Sequence, residues 1–180
     1  MSSNKKVEDK NDPSEACTTS ITLIEKRLFY KKTGNVFKGK ISDVVTFANG
    51  SGQYKALKII TGAQVRKSLT DIWFSLDHEN IIKLDKKILI PHVPSTCFVM
   101  DRCYTNLEIM VNHPVFRENP DKMDDLKRWM SDLLSGVDYI HSMKLCHLNI
   151  QASNILITYN SKAKVAGFSY ITSSTEPVSG

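Results

Sequence analysis

The chain has 180 residues, 41% of them hydrophobic and 24% charged, which is the make-up of one globular domain with a sizeable core. Wholesale disorder, collagen-like repeats and a disulfide-stapled miniprotein are excluded by that balance. Lys+Arg 24 against Asp+Glu 19 gives a net charge of +5, spread over pairs at Lys5, Lys26, Lys31, Lys86 and Lys127, so a solvated surface is expected and no nucleic-acid partner.

Residues 1–19 are polar, contain Pro13 and show no periodicity, which predicts a disordered tail. From Ile21 the sequence reads as short β-type runs, ITLI, NVFKGKI, VVTFA and YKALKII, with Asn49-Gly50-Ser51-Gly52 as a hairpin turn. Val65, Leu69, Ile72, Trp73 and Leu76 recur at helical spacing over Gln64 to Leu76, and KKILI and CFVMDRC flank the turn-prone PHVPS. Leu107, Met110 and Val111 predict a short helix, and the apolar positions from Met123 to Met143 predict a long amphipathic one. CHLNI, NILIT and AKVAGFS then read as short strands or loops. The fold class is α+β: about five strands with one inserted helix, a helical segment, then a loop and a small hairpin. No run nears the roughly 18 apolar residues of a membrane span, and the N-terminus lacks the apolar core of a signal peptide, so a cytoplasmic protein without membrane insertion is expected. Cys17, Cys97, Cys103 and Cys146 have no CxxC spacing, which predicts free thiols and no metal site.

The order and spacing of YKALKII, LDHENII, CFVMDRC, YIHSMKLCHLNIQASNILIT and KVAGFS resemble a protein-kinase domain over about residues 21–175. The resemblance implies a kinase-like small lobe over 20–103, a partial, truncated helical large lobe over 104–168, and a short flexible activation-segment remnant over 169–180. It also lets the reactive positions be compared with the mechanics of phosphoryl transfer. Gly34 stands at the third glycine of the phosphate loop and Val36 just after it, with Phe29 and Lys31 where the first two glycines belong. Lys58 matches the lysine that pairs with nucleotide phosphates, and Leu69 stands where its helix glutamate should be, with Asp71 facing elsewhere.

The catalytic-loop pattern reads His147-Leu148-Asn149-Ile150-Gln151-Ala152-Ser153-Asn154, placing Asn149 at the catalytic base, a role an amide cannot fill. Leu148 replaces an arginine, Gln151 a lysine, and Asn154 alone survives of the metal-binding pair. The metal motif reads Gly167-Phe168-Ser169, without its carboxylate. The resemblance therefore implies a catalytically inactive pseudokinase with no catalytic residue and no metal, requiring no cofactor, with weak ATP binding through Gly34, Val36, Lys58 and Asn154. Asp85, Asp101 and Asp132 are the carboxylates a residual enzyme would have to use instead.

Val165-Ala166-Gly167-Phe168, Ile150-Gln151-Ala152-Ser153-Asn154 and the insert Ile90-Pro91-His92-Val93-Pro94 resemble the mixed lineage kinase domain-like pseudokinases, from which Ser169, Leu69 and the short activation segment depart. In that family a membrane-permeabilising four-helix bundle precedes the pseudokinase; the expectation here is a short polar tail in its place, similar to virus-encoded members. The resemblance implies a decoy in the host cytoplasm that sequesters the cytosolic receptor-interacting kinase of necroptosis. Alternatives are an inhibitor of another kinase, such as a translation-initiation-factor stress kinase, and a weak nucleotide-binding or residual kinase enzyme. Ser173, Ser174 and Thr175 are candidate phosphorylation sites, the family's phosphorylated pair falling on Thr175 and Glu176. The long helix is expected to leave one apolar face uncovered.

Overall fold

The computed structural model describes residues 18, 21–22, 31–33, 37–38, 42–48, 52–61, 67–89 and 95–174. The expectations for the tail up to Cys17, for Phe29, Gly34, Val36 and the Ile90–Pro94 insert, and for Thr175 and Glu176, fall outside these residues. Two compact units are present: residues 1–64 with 88–98, and residues 65–87 with 99–180. The α+β layout expected from the periodicities is found; the chain passes between the two units after residues 64, 87 and 98.

The first unit is built on an antiparallel hairpin of β3 (Ser42–Ala48) and β4 (Tyr54–Thr61), in register from Ser42 opposite Ile60 to Ala48 opposite Tyr54. Val45, Phe47, Leu57 and Ile59 have no exposed surface, so branched aliphatic and aromatic side chains fill this core. β1 (Lys31–Lys32) and β2 (Phe37–Lys38) both pair with β3. The sheet order is β1-β3-β4-β6-β5, where β5 (Leu84–Leu89) and β6 (Ser95–Asp101) are the strands on which the chain passes between units. Thr18, Ile21 and Thr22 carry helical backbone where ITLI reads as a strand, and the Thr22 hydroxyl donates to the Thr18 carbonyl at 3.1 Å. That local bond competes with strand pairing.

In the second unit α1 (Lys67–Ser75) and α4 (Lys122–Ser142) fall within a few residues of their expected ends. The short helix α2 (Leu107–Asn112) follows β7 (Thr105–Asn106), and Asn106 caps it by accepting from the Ile109 amide at 2.8 Å. α3 (Pro114–Glu118), missed by the periodicity, starts on a proline at its first turn. α1 belongs to this unit because the Trp73 indole donates to the Ile82 carbonyl at 2.9 Å and its ring packs 5.4 Å from Phe168. Residues Asn80–Ile82 run beside β10 (Ala163–Val165): the Val165 amide donates to the Asn80 carbonyl, and the Ile82 amide to the Val165 carbonyl. The Asn80 carboxamide adds a bond to the Ala163 carbonyl at 3.1 Å.

α4 is held along its buried edge by Trp129, Gly136 and Ile140. Trp129 stacks on Phe116 and donates to the Ser161 carbonyl, and Asp132 accepts from the Ala163 amide at 2.8 Å. Asp132 is thereby committed to holding β10. On the same helix Met123, Met130 and Leu134 are 57%, 52% and 62% exposed, which agrees with the uncovered apolar face expected from the sequence. Among the described residues no helix is long and apolar enough to cross a membrane, and Cys103 and Cys146 carry free thiols.

A Cβ at Gly136 would lie 2.8 Å from the Asn80 carbonyl oxygen and 3.1 Å from Val165 Cγ2. Gly136→Ala gains about 1 kcal/mol of helix propensity but forces α4 off a backbone atom, an overpacking cost of about 1–3 kcal/mol. The clash is with main chain that is itself hydrogen-bonded, so the expected outcome is a net loss near 1 kcal/mol or more in urea unfolding; an unchanged or raised midpoint would contradict this packing.

Candidate functional site: a kinase-like loop without carboxylates

The loop at residues 147–154 follows β8 (Leu145–Cys146), and a 3-10 turn at Ala152–Asn154 delivers it into β9 (Ile155–Ile157). β9 pairs with β10 and with β7, forming a three-stranded sheet that presents the loop beside the turn following Val165. His147 is 3% exposed and fixes that juxtaposition: its ring contacts the Ala166 carbonyl at 2.9 Å through Nε2 and accepts the Asn149 amide through Nδ1 at 3.2 Å. Because Nδ1 must keep a lone pair for the Asn149 amide, the proton sits on Nε2 and is donated to Ala166. Burial holds the imidazole below its usual range, opposed by the bond to Ala166, so the neutral form is favoured.

Leu148 takes a left-handed φ of 57° and is exposed, a conformation that costs a branched residue roughly 1–2 kcal/mol. Asn149 is partly buried with its amide on His147, and its Oδ1 accepts from the exposed Gln151 carboxamide at 3.2 Å. The Asn154 carboxamide donates to the Asn149 carbonyl at 2.9 Å, and the Ala166 amide donates to the Asn154 carbonyl at 2.8 Å. Gly167 is buried with φ +85°. Phe168, also buried, lies against Trp73 at 5.4 Å and His147 at 5.0 Å, while Ser169 is exposed on the 3-10 turn Phe168–Tyr170.

No residue of 147–154 or 163–170 is an acid. Among the described residues no three His, Cys, Asp or Glu groups converge as a metal site. At Gly167 the three atoms nearest a would-be Cβ all belong to the Asn154 carboxamide, whose nitrogen donates to the Asn149 carbonyl. One neutral carboxamide oxygen is a poor donor set for a divalent cation, which takes several oxygens and usually carboxylates. The residues present therefore do not fit the metal that this motif would otherwise hold. Asp85 and Asp101 are exposed on β5 and at the end of β6, outside the loop and the turn.

Lys58 lies on β4 opposite Val44, between buried Leu57 and Ile59. Burial pushes its amine below the usual lysine range, and no carboxylate among the described residues relieves that penalty. Leu69 is partly buried on α1 and Asp71 exposed. Burial pushes the Cys103 thiol up to about 11, Lys164 opposing, so it is largely un-ionised at neutral pH. Within the terminal segment, β11 (Thr172–Ser173) pairs with β8, Thr172 opposite Cys146 and Ser173 opposite Leu145, and the Ser174 amide donates to the Lys144 carbonyl at 2.8 Å. Two polar residues carry no strand signal of their own, and the pairing is set by a segment distant in sequence. Ser173 is thus partly buried and Ser174 exposed.

The Protein kinase domain family matches residues 30–178. The chain belongs to that family. Among kinase relatives, serine/threonine-protein kinase ppk34 of Schizosaccharomyces pombe is 31% identical over 104 residues, covering 58% of this chain and 29% of that protein. Serine/threonine-protein kinase kin-29 of Caenorhabditis elegans is 27% identical over 139 residues, 68% of this chain and 17% of that protein. Mitogen-activated protein kinase 5 of Oryza sativa subsp. indica is 29% identical over 104 residues, covering 56% and 27%. The chain spans less than a third of the length of each of these kinases.

His147 binds fewer protons folded than unfolded, so its contribution to stability is present above the unfolded value of about 6.5 and is lost as pH falls below it toward the folded value. Wild type is expected to exceed His147→Gln in melting temperature at pH 7.5, with the gap shrinking by pH 5. A gap that is constant or widens on acidification would contradict the neutral, Nε2-protonated assignment.

Proposed function

We propose that this chain is a catalytically inactive pseudokinase that acts by binding. The observation that carries the reading is a kinase-like loop kept in shape by His147, Asn154 and Ala166 while every acid is missing from it. General-base help and metal-borne charge neutralisation are independent contributions to phosphoryl transfer, each worth orders of magnitude in rate. Asn149 offers no basic lone pair, and Gly167 offers no ligand. A fold that keeps its backbone hydrogen bonds but not its chemistry retains surfaces, and surfaces bind.

The partner we assign is the cytosolic receptor-interacting serine/threonine kinase of necroptosis, following the likeness of Val165–Phe168 and Ile150–Asn154 to the mixed lineage kinase domain-like pseudokinases. Occupying that kinase without accepting or relaying a phosphoryl group blocks activation of the cell's own executioner, as a virus-encoded decoy would. Binding requires neither metal nor cofactor. Ser173, Ser174 and Thr175 are the candidate phosphorylation sites, and Ser174 presents an exposed side chain.

An affinity pull-down of the tagged chain from the cytosol of necroptosis-competent cells tests the assignment, with quantitative detection of receptor-interacting and stress kinases. The expected outcome is selective recovery of the receptor-interacting kinase, with the cell's executioner displaced from it. Recovery of a stress kinase alone, or of no kinase, would overturn the partner.

A further inference from the structure

We infer that the exposed face of α4 is a self-association surface that takes a second copy of this chain in antiparallel orientation. Trp129, Gly136 and Ile140 are buried and Asp132 is bonded to the Ala163 amide, so these positions define the inward side of the helix. At about 100° per residue, Met123, Met130 and Leu134 project within about 40° of one another and away from that side, and all three are exposed. Half-buried Leu126, Leu133 and Val137 border them. Met123, Leu126, Met130, Leu133 and Val137 follow the alternating three- and four-residue steps that suit packing of one helix on another.

Charge selects the occupant of this face. Lys127 and Asp138 are exposed on one flank of the apolar stripe, about three turns apart. A two-fold axis at the level of Asp132 sets Met130 against Leu134 of the partner subunit, and because it brings like flank to like flank it also sets Lys127 beside Asp138 of the partner subunit, once on each side of the axis. A parallel pair would instead bring Lys127 beside Leu126 of the partner subunit. Lys127 bonds Asp124 within its own helix at 3.1 Å, but both side chains are largely exposed and such a pair is weak enough to be exchanged. Antiparallel helix dipoles favour the same orientation. An anionic lipid surface would meet Asp124 and Asp138 along that flank, whereas a second copy offers each charge its opposite. A face about 30 Å long buries less than the roughly 800 Å² per partner of a standard interface, so the dimer is a weak one. The surface lies wholly in the second unit, and the inference stands whether or not the partner assigned above is correct.

Sedimentation equilibrium of the full chain reads the surface, with thermal melts showing that each variant folds. Wild type is expected to follow a monomer–dimer equilibrium with a micromolar Kd, and Leu134→Glu, at an exposed position, to weaken it at least about tenfold. Lys127→Glu and Asp138→Lys alone are each expected to weaken the dimer about threefold to tenfold at low salt, and the double exchange to restore it to within about twofold of wild type. A monomer at every concentration would overturn the inference, and flotation of that monomer with phosphatidylserine vesicles would give the face to a lipid surface instead. Dimers indifferent to both charge changes, or a double exchange no tighter than the single ones, would overturn it as well.

Discussion

The backbone of Ala166 carries the constraint on which the second unit depends. Its carbonyl accepts the His147 imidazole and its amide donates to Asn154, so two segments far apart in sequence are joined at one residue with little room to shift. Each such bond contributes only about 1 kcal/mol net, but leaving a buried donor or acceptor unmade costs more. Everything near the centre inherits its position from this joint. Phe168 follows directly and is held between Trp73 and His147, and Gly167 takes a left-handed backbone between the two.

A second set of contacts supports the joint from behind. Asn80 spends its carbonyl on the Val165 amide and its carboxamide on the Ala163 carbonyl, and Gly136 lets α4 close onto it. Asp132 adds its carboxylate to the Ala163 amide. Polar groups that could have been read as chemistry are thus engaged in structure. Such a buried, fully partnered network rigidifies a core and says nothing in favour of catalysis. These bonds hold a loop at 147–154 and a turn at 166–170 that contain no acidic side chain.

The long helix was legible because its apolar residues repeat over many turns, and the β3–β4 hairpin because alternating runs flank Asn49-Gly50. The short elements were not. Thr172–Ser173 is a strand only because Leu145–Cys146 lies beside it, and Ile21–Thr22 looks like a strand in composition yet is helical. The helix at Pro114–Glu118 had a signal that periodicity overlooks, a proline suited to the first turn. That the stretches 147–154 and 163–170 lack acids could be read directly from the sequence. What spacing could not reveal is that the Asn154 carboxamide lies against Gly167, since that depends on three-dimensional approach. Spacing is equally silent on the ties that Trp73 and Asn80 make from α1 and its following segment to β10 and Phe168.

The central claim is that this kinase-family chain does not transfer phosphoryl groups, and the direct test is a radiolabelled-ATP assay. Purified full chain would be incubated with magnesium or manganese and a generic protein substrate, beside a Lys58→Ala variant prepared identically. The account predicts no incorporation into chain or substrate above that of the variant. Sustained incorporation that survives purification and vanishes with Lys58→Ala would contradict it.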